Sequence, residues 1–338
     1  MTITEQERAD ISRLQTEDPA PLLSLIIPAY NEAERLRRSL PRLFDVIPHE
    51  ETEVIIVDDG STDETAEVAV QALAALPHGR IIRLPRNSGK GAAVRAGVVE
   101  ARGEIIAYMD ADMATEPADL ALLIDALRVS PVAIGSRAHD SSVVQEKSGL
   151  RRLMTRTFGL VVAGAVDLPL SDTQCGFKAF HGSVAKLLFH GGQVNGFAFD
   201  IEVLTRASRL GLETAEVPVR WTEMAGSKVR VIKDSLKMLF DVGRTRRRVG
   251  RTPIQGVFMT DTSPEEGADL LRSCVRPVDT VLSWDDGAIA LFPCVPPTVA
   301  AHRVREIQAK VPMRRLQHVE LTMEVLEQAD SRDTRAIA

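Results

Sequence analysis

The stretch from Glu104 to Asp112 constrains the fold of this chain more than any other. Its apolar run, Ile105 to Met109, is long enough for a buried strand and ends in two carboxylates one residue apart. Because side chains alternate along a strand, Asp110 and Asp112 would share a face. Oxygen ligands at the carboxyl end of a parallel strand suit Mg²⁺ or Mn²⁺, with a diphosphate completing the coordination. The alternative is that both carboxylates cap the helix that begins near Thr115.

Strands and helices alternate through the first half of the chain. Further strands are predicted at Leu22–Ile27, Glu53–Val57 and Arg80–Leu84, each followed by a helical segment, and in the stretch Val132–Arg137, which ends in a turn. This alternation predicts a mostly parallel α/β sheet flanked by helices, with right-handed crossovers. Such sheets bind ligands at the carboxyl ends of their strands, so the polar residues there are the candidate site.

Composition and charge limit the class of protein. With 44% hydrophobic residues the chain can form a packed core, and a net charge of -6 argues against nucleic-acid binding. Its 3 cysteines are widely spaced and lack a Cys-x-x-Cys pair, which favours a reducing cytosol over a disulfide framework or a zinc site. The apolar run Phe158–Val166 is too short to cross a bilayer. We therefore expect a cytoplasmic protein without a membrane-spanning segment.

Four short motifs follow one another in the first part of the chain. They are Ile26–Glu32, Val57–Ser61, Asn87–Gly91 and Asp110–Asp112. Together they resemble the inverting family-2 glycosyltransferases, whose fold is the glycosyltransferase A type, a Rossmann-like α/β sheet. The Gly-Lys-Gly within the third motif lacks the spacing of an ATP-binding phosphate loop.

The resemblance implies roles for individual residues. The residues expected to hold the donor nucleotide are Pro28, Tyr30, Glu32, Asp58, Asp59, Lys90, Ala111, Ser227 and Lys228, the last two in a loop that closes over the donor. Asp110 and Asp112 are expected to hold Mg²⁺ or Mn²⁺ and, with Arg137, to form the catalytic centre. A Tyr ring can stack on a base while a carboxylate accepts hydrogen bonds from ribose. Tyr30 as an ordinary core residue is the alternative.

Motifs in the following region concern the acceptor. Asp172–Lys178, Gly196–Glu202 and Val217–Trp221 look most like the dolichyl-phosphate β-glucosyltransferase branch, with polyprenyl-phosphate mannosyltransferases as near relatives. The resemblance implies that Arg137, Arg151, Gln174 and Lys178 contact the acceptor, although the two arginines match positions that serve either the acceptor phosphate or the donor diphosphate. UDP-glucose is favoured over GDP-mannose, because Ala114 and Met224-Ala225 stand where the mannosyltransferase branch carries Gln and Arg.

The implied reaction is attack by an oxygen of a polyprenyl phosphate on the anomeric carbon, with inversion and departure of a nucleoside diphosphate. A phosphate is already ionised at neutral pH, which relaxes the need for a protein base. A guanidinium at Arg137 suits a phosphate through its planar fork, and a surface salt bridge is the alternative. Two other functions remain open: transfer to a soluble hydroxyl acceptor, with Asp172 or Asp200 as base, and nucleotide-sugar binding without turnover.

The chain is expected to divide into four segments. These are a mobile leader at 1–21, a catalytic domain at 22–243, a basic linker at 244–254 and a small α+β module at 255–338. An apolar helix at Val231–Val242 precedes Arg246, Arg247 and Arg248, which suits peripheral docking on the cytoplasmic face of an anionic membrane. Core packing of the helix beside a solvated linker is the alternative.

The C-terminal module carries a weaker signal. A hairpin is predicted from Val278–Ser283 and Ala288–Phe292, followed by a helix at Thr298–Lys310 and a strand at Gln317–Met323. The run faintly resembles diguanylate-cyclase-type domains, but the glycine pair and the catalytic Glu are absent, which implies a degenerate, non-catalytic module. A structural appendage or a homodimerisation module is the alternative.

Overall fold

The computed structural model describes residues 21–145, 168–224, 253–260, 262–276, 279–284, 287–293, 295, 297–312, 314–322 and 326. They belong to two compact units. The first unit contains the described parts of Pro21–His181 and Gly192–Val249, and the second those of Gly182–Gly191 and Gly250–Ala338. The predicted helix at Val231–Val242 and the arginines after it lie outside the described residues.

The first unit is built on a mostly parallel sheet, as the strand-helix alternation predicts. Its strands are β1 (Leu23–Ala29), β2 (Thr52–Asp58), β3 (Gly79–Arg83), β4 (Ile105–Met109), β5 (Val132–Ser136), β6 (Val143–Gln145), β7 (Phe177–His181), β8 (Thr214–Pro218) and β9 (Arg220–Thr222). The main sheet has the order β3-β2-β1-β4-β7-β5-β8, while β6 and β9 form a separate parallel pair. Every residue of β2 is buried, as expected for a strand covered on both faces.

Helices follow most of these strands. They are α1 (Ala33–Phe44), α2 (Thr65–Leu73), α3 (Lys90–Glu100), α4 (Leu120–Ala126) after a 3₁₀ turn at Pro117–Asp119, α5 (Gly182–Phe189) and α6 (Phe199–Arg209). Leucines recur at helical spacing along α1, where Leu36, Leu40 and Leu43 are buried in the core with residues of β1 and β2. The apolar stripe thus fixes α1 against the sheet.

Strand β7 runs antiparallel to both of its neighbours, β4 and β5. Its first residue, Phe177, pairs with Met109, the last residue of β4. The loop that enters β7 therefore lies at the same edge of the sheet as the loops that leave β1, β2, β4 and β5. This single reversed strand brings the Asp172–Gly176 loop to the predicted site.

A buried carboxylate near the amino end of β2 fastens the sheet. Glu53 is fully buried and accepts hydrogen bonds from Ser24 Oγ at 2.6 Å, Arg80 Nη1 at 2.8 Å and Arg102 Nε at 3.0 Å. Burial opposes the charge of this carboxylate, but the Ser24 hydroxyl and the two guanidinium groups outweigh it and lower the pKa of Glu53 below its ordinary value. The pair of strands β1 and β2 is thus joined to the segment that enters β4.

The second unit contains β10 (Ile254–Thr260), α7 (Pro264–Cys274), β11 (Thr280–Trp284), β12 (Gly287–Phe292), α8 (Pro297–Lys310) and β13 (Arg315–Leu321). The order β11-β12-β10-β13, antiparallel throughout, is that of a ferredoxin-like βαββαβ unit. The predicted hairpin, helix and final strand are therefore present as β11 to β13. Strand β10 and helix α7, which had no prediction, complete the fold.

Helix α5 belongs to this second unit although it is distant in sequence. Thr280 Oγ1 donates to the carbonyl of Ser183 at 3.3 Å, and His190 Nε2 lies 2.9 Å from the carbonyl oxygen of Pro253. Nearly every residue of α5 is buried. None of the described helices has the length and apolarity needed to cross a membrane.

Candidate active site

The carboxylate of Asp110 follows the last residue of β4. Its Oδ1 lies 2.5 Å from the ammonium of Lys90, the first residue of α3. The backbone of Gly176 packs directly against this carboxylate, so that a Cβ at position 176 would overlap it. A side chain at position 176 would therefore displace the Asp110 carboxylate, and the loop that enters β7 forms one wall around Asp110.

Asp112 lies in a tight turn after β4. Its carboxylate accepts from the backbone N–H of Ala114 at 3.1 Å, and Ser39 Oγ donates to the Ala111 carbonyl at 2.8 Å. Met113 adopts a left-handed backbone conformation, with φ of 46°. The 3₁₀ turn that follows has Glu116 at its N-cap, so neither carboxylate caps a helix and the alternative reading is excluded.

The two carboxylates form a site that attracts a cation. Burial and the negative charge of Asp110 raise the pKa of Asp112 above its ordinary value, as expected for like charges sharing a site. The described residues contain no cluster of three or more His, Cys, Asp or Glu that would enclose a metal. Two carboxylates suit Mg²⁺ or Mn²⁺, which would take waters and phosphate oxygens as further ligands, so the metal assignment stays a prediction.

Lys90 is held at the site by the loop before α3. Asp59 accepts from the backbone N–H groups of Ser88 at 2.7 Å and of Gly89 at 2.8 Å, and the Asn195 carbonyl accepts from Gly91 N at 2.8 Å. These amide groups are therefore already bonded, which excludes a phosphate loop. Burial opposes the charge of Lys90, but Asp110, with Asp200 and Asp112, outweighs it and raises the pKa of Lys90.

The predicted nucleotide residues lie on two neighbouring loops, after β1 and β2. Asn31 joins them, because its N–H donates to Ser61 Oγ at 2.9 Å and its Oδ1 accepts from Thr62 N at 2.8 Å. Tyr30 is 38% exposed, so it is not an ordinary core residue, and its contact with the base stays a prediction. Pro28 is on β1 itself, one residue before its end.

The carboxylates on these loops already have partners in the protein. Glu32 accepts from Arg35 at 2.9 and 3.0 Å. Asp58 is fully buried and accepts from Ser61 N at 2.9 Å and from Arg83 Nε at 3.2 Å. Both therefore shape the loops, and contact of Glu32, Asp58 or Asp59 with the base or ribose stays a prediction.

Arg137 follows β5 and forms a bidentate pair with Asp172. Its Nε and Nη2 donate to the two carboxylate oxygens at 2.7 and 2.9 Å, and its backbone N–H donates at 3.0 Å. Burial disfavours the charged form of both groups, but the attraction between the two opposite charges is stronger. The pKa of Asp172 is therefore lowered and that of Arg137 is raised. Within the described part of the chain, Nη1 has no hydrogen-bond partner.

Lys178, predicted to contact the acceptor, is fully buried on β7. Its ammonium lies 2.7 Å from Asp200 Oδ1 and donates to the Cys175 carbonyl at 2.5 Å, and the Tyr108 hydroxyl also donates to Asp200. The structure thus places Lys178 in the core beneath the site. Burial, with Asp172 next, raises the pKa of the Cys175 thiol to about 11, which makes it an unreactive core residue.

Gln174 lies in the loop between Asp172 and β7. Its side-chain Nε2 is buried and has no hydrogen-bond partner among the described residues. Three other predicted contacts, Arg151, Ser227 and Lys228, lie outside the described residues. Their roles stay predictions.

Two residues with clear positions at the site had no predicted role. Gly176 packs on Asp110, and Asn195 bonds the start of α3. Both occur in or beside quoted motifs, and the glycine within Cys175-Gly176-Phe177 was a signal of a close backbone approach. Their partners, Asp110 for Gly176 and Gly91 for Asn195, could not be identified from the sequence, because each is distant along the chain.

Residues 24–188 match the Glycosyl transferase family 2 domain. Dolichyl-phosphate β-glucosyltransferase of Dictyostelium discoideum is 36% identical over 242 residues, which cover 67% of this chain and 74% of the relative. The enzyme of the same name from Drosophila melanogaster is 38% identical over 241 residues, covering 66% and 73%. The human one is 35% identical over 230 residues, covering 63% and 71%.

A solved structure has the same fold at much lower identity. It is glucosyl-3-phosphoglycerate synthase from Mycobacterium tuberculosis in complex with Mn²⁺, UDP-glucose and phosphoglyceric acid. The TM-score is 0.54 at 19% identity, and the match covers 74% of this chain and 87% of that chain. The likeness confirms the predicted glycosyltransferase A-type fold.

Proposed function

Since the chain belongs to glycosyl transferase family 2, we propose that it transfers glucose from UDP-glucose to the phosphate of a polyprenyl- or dolichyl-type lipid, with inversion. The observation that carries this proposal is the 36% identity with a dolichyl-phosphate β-glucosyltransferase over 67% of the chain. The site at the carboxyl edge of the sheet supports it independently, because each half of the reaction has residues suited to it.

On the donor side, Asp110, Asp112 and Lys90 meet where a diphosphate is expected. A divalent ion on the two carboxylates would neutralise charge on the departing nucleoside diphosphate. Lys90 keeps its positive charge and donates through Nζ at 2.5 Å from Asp110, so it can also bond a phosphate oxygen next to that carboxylate. The exposed ring of Tyr30 offers a stacking surface for the base.

On the acceptor side, two donors lack protein partners among the described residues. They are the Nη1 group of Arg137 and the buried Nε2 group of Gln174. Both residues also bond to Asp172, Arg137 through Nη2 and Gln174 through its backbone N–H. The buried Nε2 group of Gln174 is costly without a partner, and a phosphate oxygen would satisfy it while also accepting from the more exposed Nη1 group of Arg137. Both observations favour a phosphorylated acceptor.

The two candidate bases for a hydroxyl acceptor are already engaged. Asp172 is paired with Arg137, which lowers its pKa and makes it a weak base. Asp200 is 2% exposed and bonded to Lys178 and Tyr108. A phosphate acceptor needs no such base, because its oxygen is already ionised. This difference favours a lipid phosphate over a soluble hydroxyl acceptor.

We further propose peripheral association with the cytoplasmic face of a membrane, where a lipid acceptor resides. The support is the apolar stripe at Val231–Val242 followed by Arg246, Arg247 and Arg248 in the sequence. Sedimentation with anionic liposomes at low and high salt tests it. Liposome binding that does not weaken as the salt concentration rises would contradict the electrostatic part of this proposal.

The function is tested with labelled UDP-glucose, other UDP-sugars and GDP-mannose, each with dolichyl phosphate and Mg²⁺ or Mn²⁺. We expect label from UDP-glucose in the organic phase, and a β-linked product by NMR. Label that stays in a new water-soluble glycoside would instead indicate a soluble acceptor. Donor binding without any turnover would indicate a nucleotide-sugar-binding protein.

A further inference from the structure

Trp221 lies against the guanidinium of Arg137. The Arg137 Cζ atom is 5.7 Å from the centroid of the indole ring. The ring is half-buried and packs against the main core of the first unit, which restricts its position. The guanidinium is thereby constrained by the indole ring on one side and by Asp172 along the Nε–Nη2 edge.

Strand β9, which carries Trp221, is fastened along its length. Arg220 donates to Asp119 through Nε at 2.8 Å and through its backbone N–H at 2.7 Å. Thr222 N donates to the Ala114 carbonyl at 2.8 Å, and Glu116 N donates to the Arg220 carbonyl at 2.9 Å. These backbone bonds join β9 to the loop just after Asp112.

The same strand is joined to the chain just after Arg137. Trp221 pairs in register with Val144 of β6. Ser142 Oγ donates to the Ser136 carbonyl at 2.6 Å and accepts from Val219 N at 2.9 Å. The backbone of β9 is therefore held independently of the indole, and the indole is the part that touches the arginine.

We propose that Trp221 is a positioning residue for the acceptor phosphate. The indole fixes the plane of the Arg137 guanidinium, so that the remaining Nη1 edge is presented to a phosphate oxygen. An aromatic face holds a guanidinium without occupying its N–H groups, which an acidic or amide partner would do. The inference rests on the proposed function only in taking the acceptor to be a phosphate.

Kinetics test the inference with a conservative series. Trp221→Leu is expected to raise the KM for a short-chain polyprenyl phosphate about threefold to thirtyfold, the range of a desolvated cation–π contact. The KM for UDP-glucose should change little, because the backbone bonds of β9 do not involve the indole. Trp221→Phe should recover most of the loss. Thr222→Val, at an exposed position of the same strand, is the matched control.

A double-mutant cycle separates positioning from general packing. In an Arg137→Ala background, Trp221→Leu should raise the acceptor KM no further, because the group that it orients is gone. An equal additional loss in that background would overturn the inference. If Trp221→Leu does not fold, the same cycle with Trp221→Met, which also lacks an aromatic face, decides the question.

Fluorescence supplies a readout independent of turnover. The chain has 2 tryptophans, so Trp284→Phe leaves Trp221 as the single reporter. Adding the short-chain polyprenyl phosphate should change its emission, and Arg137→Ala should abolish the change. If the unmodified protein transfers no sugar to any lipid phosphate and shows no change, the proposed function fails. Normal lipid transfer with an unaltered acceptor KM in Trp221→Leu overturns the inference alone.

Discussion

The ammonium of Lys178 lies 2.7 Å from the carboxylate of Asp200, and neither side chain is more than 3% exposed. Lys178 also pairs in register with Tyr108 of β4, and its Nζ holds the carbonyl of Cys175. Since Gly176 follows directly and packs on Asp110, this buried ion pair supports the wall of the site from beneath.

Replacing Lys178 is therefore expected to affect the stability of the fold more directly than substrate binding. Lys178→Met should lower the free energy of unfolding by about 3–5 kcal/mol, because it leaves the Asp200 charge buried and unpaired. Chemical denaturation measures the loss, and adding Asp200→Asn should restore part of it. Arg128→Met, which breaks an exposed pair with Asp125, is the control and should cost at most about 1 kcal/mol. Unchanged stability with a raised acceptor KM would instead support the acceptor role predicted from the motif.

Asp110 and Asp112 were predicted at their observed positions, whereas Lys178 was not. Strands β1, β2, β4 and β5 were predictable, because parallel strands covered on both faces read as apolar runs bounded by turns. Their carboxyl ends necessarily meet at one edge, so Asp110 and Asp112 were predictable as well. The position of Lys178 was not, because its motif enters the sheet through an antiparallel strand buried on both faces. From sequence alone, a lysine on such a strand is predicted to be exposed, because its buried partner, Asp200, cannot be identified.

The C-terminal unit gives a second example. Ser263-Pro264-Glu265-Glu266 is a helix start, with Ser263 accepting from the Glu266 N–H at 3.3 Å, and it was visible in the sequence. Reading it would have supplied α7 and hence the complete βαββαβ pattern. The membership of α5 in that unit was beyond sequence reasoning, because it depends on contacts such as Thr280 with Ser183 across a long separation.

Asp112→Asn should abolish transfer and leave the fold intact, because the residue lies in a loop at the sheet edge and is proposed to be one of two metal ligands. Circular dichroism and the melting temperature check the fold. Binding of Mn²⁺ alone, followed by electron paramagnetic resonance, should weaken in parallel. Asp125→Asn, at a side chain 75% exposed, is the control. Near-normal activity of Asp112→Asn at low Mg²⁺ or Mn²⁺ would contradict the metal assignment.

Arg137→Ala should impair use of the acceptor more than binding of the nucleotide. Loss of a charge-assisted hydrogen bond costs about 1.5–3 kcal/mol, or roughly ten- to hundredfold in the acceptor KM. The change also leaves the Asp172 carboxylate without its guanidinium partner, so a control for that uncompensated charge is needed. The double variant Arg137→Ala/Asp172→Asn removes the charge, so an acceptor defect that persists in it comes from the lost guanidinium. An equal loss of donor affinity, with acceptor dependence unchanged, would move Arg137 to the donor side.

Glu53→Gln should reveal a pH-dependent part of the stability. The folded pKa of Glu53 lies below its ordinary value of 4.5, so its carboxylate stabilises the fold fully above that pH and loses its effect as the pH falls through the folded pKa. The melting temperatures of the variant and the unmodified protein should thus differ most from pH 5 to 7 and converge in acid. Glu34→Gln, at a side chain 69% exposed, should show no such convergence. A constant difference down to low pH would contradict the lowered pKa.

Removal of residues 254–338 should destabilise the remaining chain. Helix α5 is nearly all buried and belongs to the same compact unit as this segment, whose Thr280 hydroxyl donates to the Ser183 carbonyl, so we expect deletion to expose part of the helix. We expect lower soluble yield, a lower melting temperature and increased binding of a hydrophobic dye, with transfer activity lost in proportion to the folded fraction. Deletion would then act through folding, even though the residues assigned to the chemistry precede Pro253. A soluble truncated protein with unchanged melting and full activity would instead show that the ferredoxin-like unit is a dispensable appendage, and that α5 is held by other contacts.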